Sequence, residues 1–185
     1  MVSKMMHRQW TLVKTKTIAI VGCLFMLISC AKHQPMKTVD YVDIKRFMGD
    51  WYVIANIPTF IEKGAHNAVE SYQLDSDGTI ATTFTFRDGD FDGEMKVYTP
   101  RGFIQDKQTN AVWDMQFIWP FKADYRIVYL SEDYNHTIIG RNKRDYVWIM
   151  ARTPNVEETN YQSMLKIVEE LGYDARKVQR VPQRW

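Results

Sequence analysis

The hydrophobic pattern divides the chain into three parts. Residues 18–28 are uncharged and mostly apolar, residues 51–151 contain short stretches of alternating apolar and polar residues, and residues 161–171 repeat apolar residues three or four positions apart. Alternation is typical of β-strands with one buried face, whereas the wider spacing is typical of an amphipathic helix. The pattern therefore predicts a β-rich domain followed by one helix, behind an N-terminal apolar segment.

Eight strand-like runs follow one another in the middle part of the chain. The turn sequence Asp75-Ser76-Asp77-Gly78 separates the second run from the third, and Trp119-Pro120 ends the fifth. Short strands with hairpin-length links predict an antiparallel barrel or sandwich. The runs are Trp51–Ile57, Val69–Leu74, Thr79–Phe86, Glu94–Thr99, Ala111–Ile118, Tyr125–Leu130, Thr137–Gly140 and Tyr146–Ala151.

The last apolar pattern predicts a helix that packs on the outside of the sheet. We expect Thr153 and Pro154 to open this helix, Gly172 to end it, and Val178–Val181 to add a short edge strand after it. Its apolar face consists of Tyr161, Met164, Leu165, Val168 and Leu171.

Two further features lie outside the eight runs. Asp43 can cap a short helical turn that continues to Phe47. The long connection Pro58–Ala68 carries Phe60 and Ile61, which are unusual on a plain surface loop. We interpret this connection as a lid over an opening.

The first residues indicate export. Residues 1–16 carry four basic side chains and no acidic one, and the apolar run 18–28 is shorter than the roughly 20 residues that span a membrane. This run ends in Leu27-Ile28-Ser29-Cys30, which resembles the lipobox of bacterial lipoproteins. The resemblance implies cleavage before Cys30 and acylation of its sulfur. Ala31 in the next position implies sorting to the outer membrane, where we expect a lipid-anchored protein on the periplasmic face.

Removal of the signal changes the charge of the protein. The whole chain has 24 basic and 22 acidic residues, and the four basic residues of the signal leave 20 against 22. A basic surface for nucleic acid is therefore not expected. The remaining chain has the length of one domain, and its single cysteine excludes an internal disulfide.

The order of three motifs is the most specific feature of the sequence. Gly49-Asp50-Trp51 opens the first strand, Glu132-Asp133-Tyr134 follows the sixth, and Arg152 ends the eighth. Together they resemble the signature of the lipocalin family, with Glu132 in place of the usual threonine. The resemblance extends over Tyr41–Gln183 and is strongest to the bacterial outer-membrane lipoprotein lipocalins and apolipoprotein D.

This resemblance implies an all-β fold, an eight-stranded antiparallel up-and-down β-barrel with a C-terminal α-helix packed outside. Trp51 is expected to plug the closed end, with Arg152 over its ring. The chain then consists of a signal peptide (1–29), a lipidated tether (30–40) and a barrel domain (41–185).

Alternation along each strand predicts which side chains face the interior. We expect an apolar cavity that opens near Pro58–Ala68, with Glu70 either solvated at its mouth or in contact with a ligand head group. The expected ligand-binding residues are Val53, Ala55, Tyr72, Leu74, Ile80, Thr82, Phe84, Trp113, Met115, Phe117, Tyr146, Trp148 and Met150.

The family resemblance implies a membrane-anchored carrier that stores or transports fatty acids, phospholipids or lysophospholipids for envelope maintenance. We expect no catalytic group, metal or cofactor, because the sequence has no nucleophile motif and no metal-ligand spacing. The alternating Asp88, Asp90 and Asp92 are interpreted as a solvated hairpin. Two alternatives remain open, a carrier of haem or another small hydrophobic cofactor with His66 or His136 as axial ligand, and a structural envelope lipoprotein without a ligand. A homodimer also remains open.

Overall fold

The computed structural model describes residues 35–185, so that the predicted signal and Cys30 lie outside the described residues. Ten antiparallel strands form one sheet, which closes on itself because β1 also pairs with β9. The strands are β1 (Gly49–Ile57), β2 (Ala65–Leu74), β3 (Ile80–Asp88), β4 (Met95–Tyr98), β5 (Arg101–Ile104), β6 (Val112–Ile118), β7 (Phe121–Leu130), β8 (His136–Gly140), β9 (Val147–Ala151) and β10 (Gln179–Arg180).

The barrel wall has eight strands, because β4 and β5 together form the fourth. Thr99-Pro100 separates them, and proline lacks the N–H that a continuous strand would need there. The predicted eight-stranded antiparallel barrel is confirmed. The sequence pattern missed β5, which is short and contains Gly102, and it began β7 at Tyr125 and not at Phe121, because charged Lys122 and Asp124 interrupt the apolar alternation.

The connections between strands alternate between the two ends of the barrel. The β1–β2, β3–β4, β6–β7 and β8–β9 connections lie at one end, which we call the mouth. The other end carries α1 (Ile44–Phe47), which leads into β1. As predicted, Asp43 caps this turn, and its Oδ1 accepts hydrogen bonds from the backbone N–H groups of Lys45 (3.0 Å) and Arg46 (3.2 Å).

The C-terminal helix α2 spans Glu158–Glu170 and lies on the outer face of the barrel, as predicted. It buries Tyr161, Met164 and Val168 against the outward-facing residues of β1, β8 and β9. The prediction that Thr153-Pro154 opens the helix is wrong, because the Thr153 hydroxyl donates to the Asn155 carbonyl and holds a separate bend before Glu158. Within residues 35–185, no helix is long and apolar enough to cross a membrane.

A β-bulge in β1 changes which side chains face the interior. Val53 pairs with Met150, but Ala55 pairs with Ile149, so that Ile54 is the extra residue. From Ala55 onward the alternation is reversed. Ala55 therefore packs on the outer, helix-facing core, and its predicted inward orientation is wrong.

The two ends of the described chain run along the barrel wall. Met36 is buried, and its N–H donates to Asn142 Oδ1 (2.8 Å) in the β8–β9 connection. The packed chain thus begins inside the segment predicted as a tether. At the C-terminus, β10 pairs with Ala55 and Asn56 of β1 within the predicted edge strand.

Candidate functional site

Four aromatic rings close one end of the barrel. We call this cluster the aromatic floor; it consists of Phe47, Trp51, Tyr72 and Trp113. Trp51 is fully buried, its Nε1–H donates to the Phe47 carbonyl (2.9 Å), and its ring centroid lies 5.0 Å from that of Phe47. The ring of Trp113 meets those of Phe47 and Tyr72 edge-on, at 5.6 and 5.8 Å. This floor excludes water from the closed end.

Arg152 covers the outer side of the floor. Its guanidinium carbon lies 3.8 Å from the centroid of the Trp51 ring. Nη1 donates to the Asp50 carbonyl (2.8 Å), and Nη2 donates to the carbonyls of Arg46 (2.8 Å) and Phe47 (3.0 Å). One side chain therefore donates to the last two carbonyls of α1 and to a carbonyl near the start of β1 while it stacks on Trp51.

The turn after β7 completes the closed end. Asp133 Oδ1 accepts hydrogen bonds from the Ser131 hydroxyl and the Asn135 N–H, which lower the pKa of Asp133 to about 2. Tyr134 has a left-handed backbone (φ 62°), and its hydroxyl accepts a hydrogen bond from the Asp43 N–H (2.8 Å). The predicted lipocalin motifs, Gly49 included, thus meet at this end of the barrel.

A cavity of about 650 Å³ lies between the floor and the mouth. The surface that lines it is mostly apolar. This size falls within the range of about 300–1,000 Å³ that is usual for sites of small organic molecules. The lining consists of Thr59, Phe60, Ile61, Glu62, Glu70, Thr82, Phe84, Val97, Tyr98, Thr99, Pro100, Met115, Phe117, Ile118, Phe121, Lys122, Ala123, Asp124, Tyr125, Arg141, Tyr146 and Trp148.

The structure divides the thirteen predicted ligand-binding residues into three groups. Two of them do not face the interior: Ala55 faces the helix, and Leu74 is 39% exposed where β2 ends beyond the floor. Lining the cavity are Thr82, Phe84, Met115, Phe117, Tyr146 and Trp148. Buried in the interior below the cavity are Val53, Tyr72, Ile80, Trp113 and Met150.

Glu70 lies at the bottom of the cavity and not at its mouth. It pairs with Trp51 across the β1–β2 ladder and is 9% exposed. The Tyr72 hydroxyl donates to Glu70 Oε2 and lies 2.7 Å from the Tyr125 hydroxyl. The pKa of Glu70 is raised from 4.5 to about 7, because burial and the charge of Glu62, which raise it, outweigh the hydrogen bond from Tyr72, which lowers it. The cavity thus ends in a buried carboxyl group with a pKa well above its usual range.

A second buried carboxyl group holds the lid over the cavity. The lid is Pro58–Gly64, shorter than predicted because β2 begins at Ala65. Glu62 Oε2 accepts hydrogen bonds from the Thr59 N–H (2.8 Å) and hydroxyl (2.7 Å), and its Oε1 accepts one from Trp148 Nε1 (2.8 Å). Sequence reasoning missed Glu62, because a charged residue in a loop gives no sign that it is buried.

The mouth also contains a cationic group. Arg141 lines the cavity, its guanidinium lies 5.2 Å from the ring of Tyr146, and Nη1 lies 3.4 Å from Asp145 Oδ2. Arg141 Nε is buried and has no hydrogen-bond partner within residues 35–185. Side chains at alternate positions of β8 face the interior, and this alternation, continued by one residue past Gly140, places Arg141 inside the barrel. Sequence reasoning missed Arg141, because the predicted strand ended at Gly140.

The two histidines considered as axial ligands do not line the cavity. His66 Nδ1 lies 2.9 Å from the Gly64 carbonyl oxygen, and its ring packs on Phe91. His136 pairs with Ala151 beside the closed end. In the described part of the chain, no group of three or more His, Cys, Asp or Glu side chains could hold a metal ion. The positions of His66 and His136 therefore give no support to the hypothesis that the protein carries haem.

The contacts of Arg152 predict a large loss of stability on its removal. Arg152→Ala removes the donor of the Asp50 and Arg46 carbonyls and one of the two donors of the Phe47 carbonyl. It also uncovers Trp51, so we expect the free energy of unfolding in urea to fall by roughly 2–4 kcal/mol. The matched control is Arg176→Ala, because the Arg176 side chain is 90% exposed. A loss of equal size in both variants would contradict the prediction.

Glu70 predicts a specific pH dependence of stability. The folded protein holds this proton more tightly than the unfolded chain, because the pKa of Glu70 rises from 4.5 to about 7. The free energy of unfolding should therefore fall by on the order of 3 kcal/mol between about pH 4.5 and pH 7 and then level off. Glu70→Gln removes this contribution, and urea unfolding at pH 5 and pH 8 measures it. The exposed Glu94→Gln is the control, and an unchanged pH dependence in Glu70→Gln would show that the carboxyl group is not held as described.

Comparisons with known proteins agree with this architecture. The family model described as a lipocalin-like domain matches residues 42–183. The outer membrane lipoprotein Blc of Citrobacter freundii is 31% identical over 90% of this chain and 95% of that protein, and apolipoprotein D of Bos taurus is 26% identical over 74% and 72%. The crystal structure of the cockroach allergen Per a 4 superposes with a TM-score of 0.62 at 15% identity, over 83% of this chain and 96% of that one. The chain belongs to the lipocalin family.

Proposed function

We propose that this protein is a membrane-anchored carrier that stores or transports a fatty acid, phospholipid or lysophospholipid, with an acyl chain inside the barrel. The observation that carries the proposal is the apolar cavity of about 650 Å³ above a sealed aromatic floor. Family membership supports the binding of a small hydrophobic ligand. The proposed role is binding and not catalysis.

The apolar wall provides enough free energy to hold one acyl chain. Transfer of each CH₂ group out of water contributes about 0.8 kcal/mol, so that ten groups contribute about 8 kcal/mol. That corresponds to a dissociation constant of about 1 μM before the cost of ordering the chain is subtracted. Glu70 does not oppose this arrangement, since its carboxyl group is already hydrogen-bonded and is partly neutral near pH 7.

We place the polar head of the ligand at the mouth. Arg141 lines the cavity there, and its buried Nε lacks a hydrogen-bond acceptor within residues 35–185. A carboxylate or phosphate oxygen would supply that acceptor and pair with the guanidinium charge. The acyl chain would then extend toward Glu70, with the lid over it.

The sequence before the described residues supports a membrane location. A basic segment, an apolar run and the lipobox-like ending at Cys30 indicate export and acylation. The Citrobacter freundii relative is named as an outer membrane lipoprotein. We place this protein at the outer membrane on the same grounds, held by acyl chains on Cys30.

Filling the cavity should weaken ligand binding. Ala123 lines the cavity, so Ala123→Trp places an indole in the path of the acyl chain. We expect the affinity for lysophospholipid and for fatty acid, measured by calorimetric titration, to fall by at least roughly tenfold, which corresponds to the loss of two CH₂ contacts.

The matched control is Thr83→Trp, which adds the same side chain to the exposed outer face of β3. This variant should bind like the natural protein. Equal binding by the natural protein and by Ala123→Trp would overturn the assignment of the cavity as the lipid site, as would a natural protein that binds neither lipid.

The anchor and the barrel should be separable. Cys30→Ser removes the sulfur that carries the lipid, so that the protein should leave the membrane fraction or remain an uncleaved precursor. Fractionation of cells and immunoblotting measure this change. Lipid titration of the purified variant should give an unchanged affinity, and a loss of binding would show that the two parts are not independent.

A further inference from the structure

We propose that the mouth of the barrel faces the membrane and that exposed apolar side chains around the mouth insert into the bilayer surface. This inference rests on the proposed function in one respect, the acylation of Cys30. Three observations carry it: an apolar rim, the path of the N-terminal segment, and the balance of charge at the mouth.

The apolar rim consists of Phe60 in the lid and Ile118, Trp119 and Phe121 in the β6–β7 hairpin. These side chains are 83%, 72%, 81% and 76% exposed. Phe60, Ile118 and Phe121 also line the cavity, so that the rim borders its opening on two sides. Large exposed apolar surface on a folded domain marks a site of interaction, and aromatic side chains are favoured at the boundary between membrane and water.

The N-terminal segment reaches the barrel close to this rim. The Met36 N–H donates to Asn142 Oδ1 (2.8 Å), and the Asn142 N–H donates to Asp124 Oδ2 (2.7 Å). Asp124 lies three residues from Phe121 along β7, which is about 10 Å. The closed end of the same strand, at Leu130, is six residues away in the other direction, or about 20 Å.

The length of the chain between anchor and barrel then limits the orientation. Met36 lies six positions after Cys30, and a chain of that length can span at most about 20 Å. A bilayer that holds acyl chains on Cys30 is therefore within about 20 Å of Met36, which is hydrogen-bonded to the β8–β9 connection at the mouth.

Charge at the mouth favours apolar insertion over attraction to anionic lipids. Five basic residues lie at this end, Lys63 in the lid, Lys122 beside Phe121, and Arg141, Lys143 and Arg144 in the β8–β9 connection. Four acidic residues in and beside the β3–β4 connection, together with Glu62 and Asp145, balance them. The mouth therefore has no excess of positive charge. Membrane contact is thus expected on zwitterionic lipid and should depend little on salt. The four acidic residues in and beside the β3–β4 connection are Asp88, Asp90, Asp92 and Glu94.

Tryptophan fluorescence can test the orientation directly. The mature lipidated protein is incorporated into phosphatidylcholine vesicles that contain lipids brominated near the glycerol, which quench nearby indoles. We expect quenching in the natural protein and the loss of most of it in Trp119→Phe. Quenching of Trp148 by lipid inside the cavity is common to both proteins and cancels in the difference.

The matched control is Trp185→Phe. Trp185 is 68% exposed, but its ring packs on Tyr52, away from the mouth, at a centroid distance of 5.2 Å. This variant should keep the full quenching. Equal quenching in Trp119→Phe and the natural protein, or quenching that depends on Trp185, would overturn the proposal. A third result would also overturn it: no quenching, together with a doubling of the mass in sedimentation that Trp119→Phe abolishes. A second copy of the protein, and not the bilayer, would then cover the rim.

A transfer assay separates this proposal from the proposed function. Trp119 does not line the cavity, so Trp119→Ser should bind lysophospholipid from solution normally but take up phospholipid from vesicles at least roughly tenfold more slowly. Quenching of Trp119 in a protein that binds no lipid would refute the carrier function and leave the orientation in place. Normal uptake from vesicles by Trp119→Ser would refute the docking role of the rim.

Discussion

The contact between Arg152 and Trp51 is the constraint on which the rest of the barrel depends. A closed sheet must still be sealed at one end if it is to hold a ligand and not a column of water. Here a short helical turn ends where β1 begins, which brings several backbone carbonyls together. The guanidinium from the end of β9 satisfies these carbonyls and covers the indole at the same time. The first and last strands of the wall are thereby joined by a side chain as well as by the β1–β9 ladder.

Polar groups are distributed along the barrel axis in a way that suits an amphiphile. The middle of the cavity is apolar, Glu70 and two tyrosines form a hydrogen-bonded group at its lower end, and Glu62 and Arg141 lie near the opening. Glu62 is satisfied by the lid and by Trp148, whereas Arg141 Nε has no acceptor in the described chain. Under the proposed function, the acceptor missing at Arg141 is the feature that would orient the polar head of the ligand.

Sequence alone was sufficient for the features that depend on repetition or on order along the chain. Alternation identified most of the strands, helical spacing identified the apolar face of α2, and the order of Gly49, Trp51 and Arg152 indicated the family. Alternation failed where a local irregularity intervened, as with Ala55 after the bulge at Ile54 and Leu74 beyond the floor. It also gave no sign of Glu62, because the burial of a loop carboxylate depends on Trp148, a residue 86 positions away.

The bulge at Ile54 lets one strand serve two cores. Before it, β1 contributes Val53 to the interior; after it, Ala55 and Ile57 face the helix, while Asn56 pairs with Trp148. The spacing of these residues is therefore as much a part of the fold as their identity. A regular strand of the same length, without the bulge, would bring Ala55 and Ile57 inside, with Asn56 against the helix. Across related barrels, β1 should thus tolerate the loss of the one extra residue, which leaves Ala55 and Ile57 against the helix, far better than the insertion of a further residue before Ala55, which turns them inward.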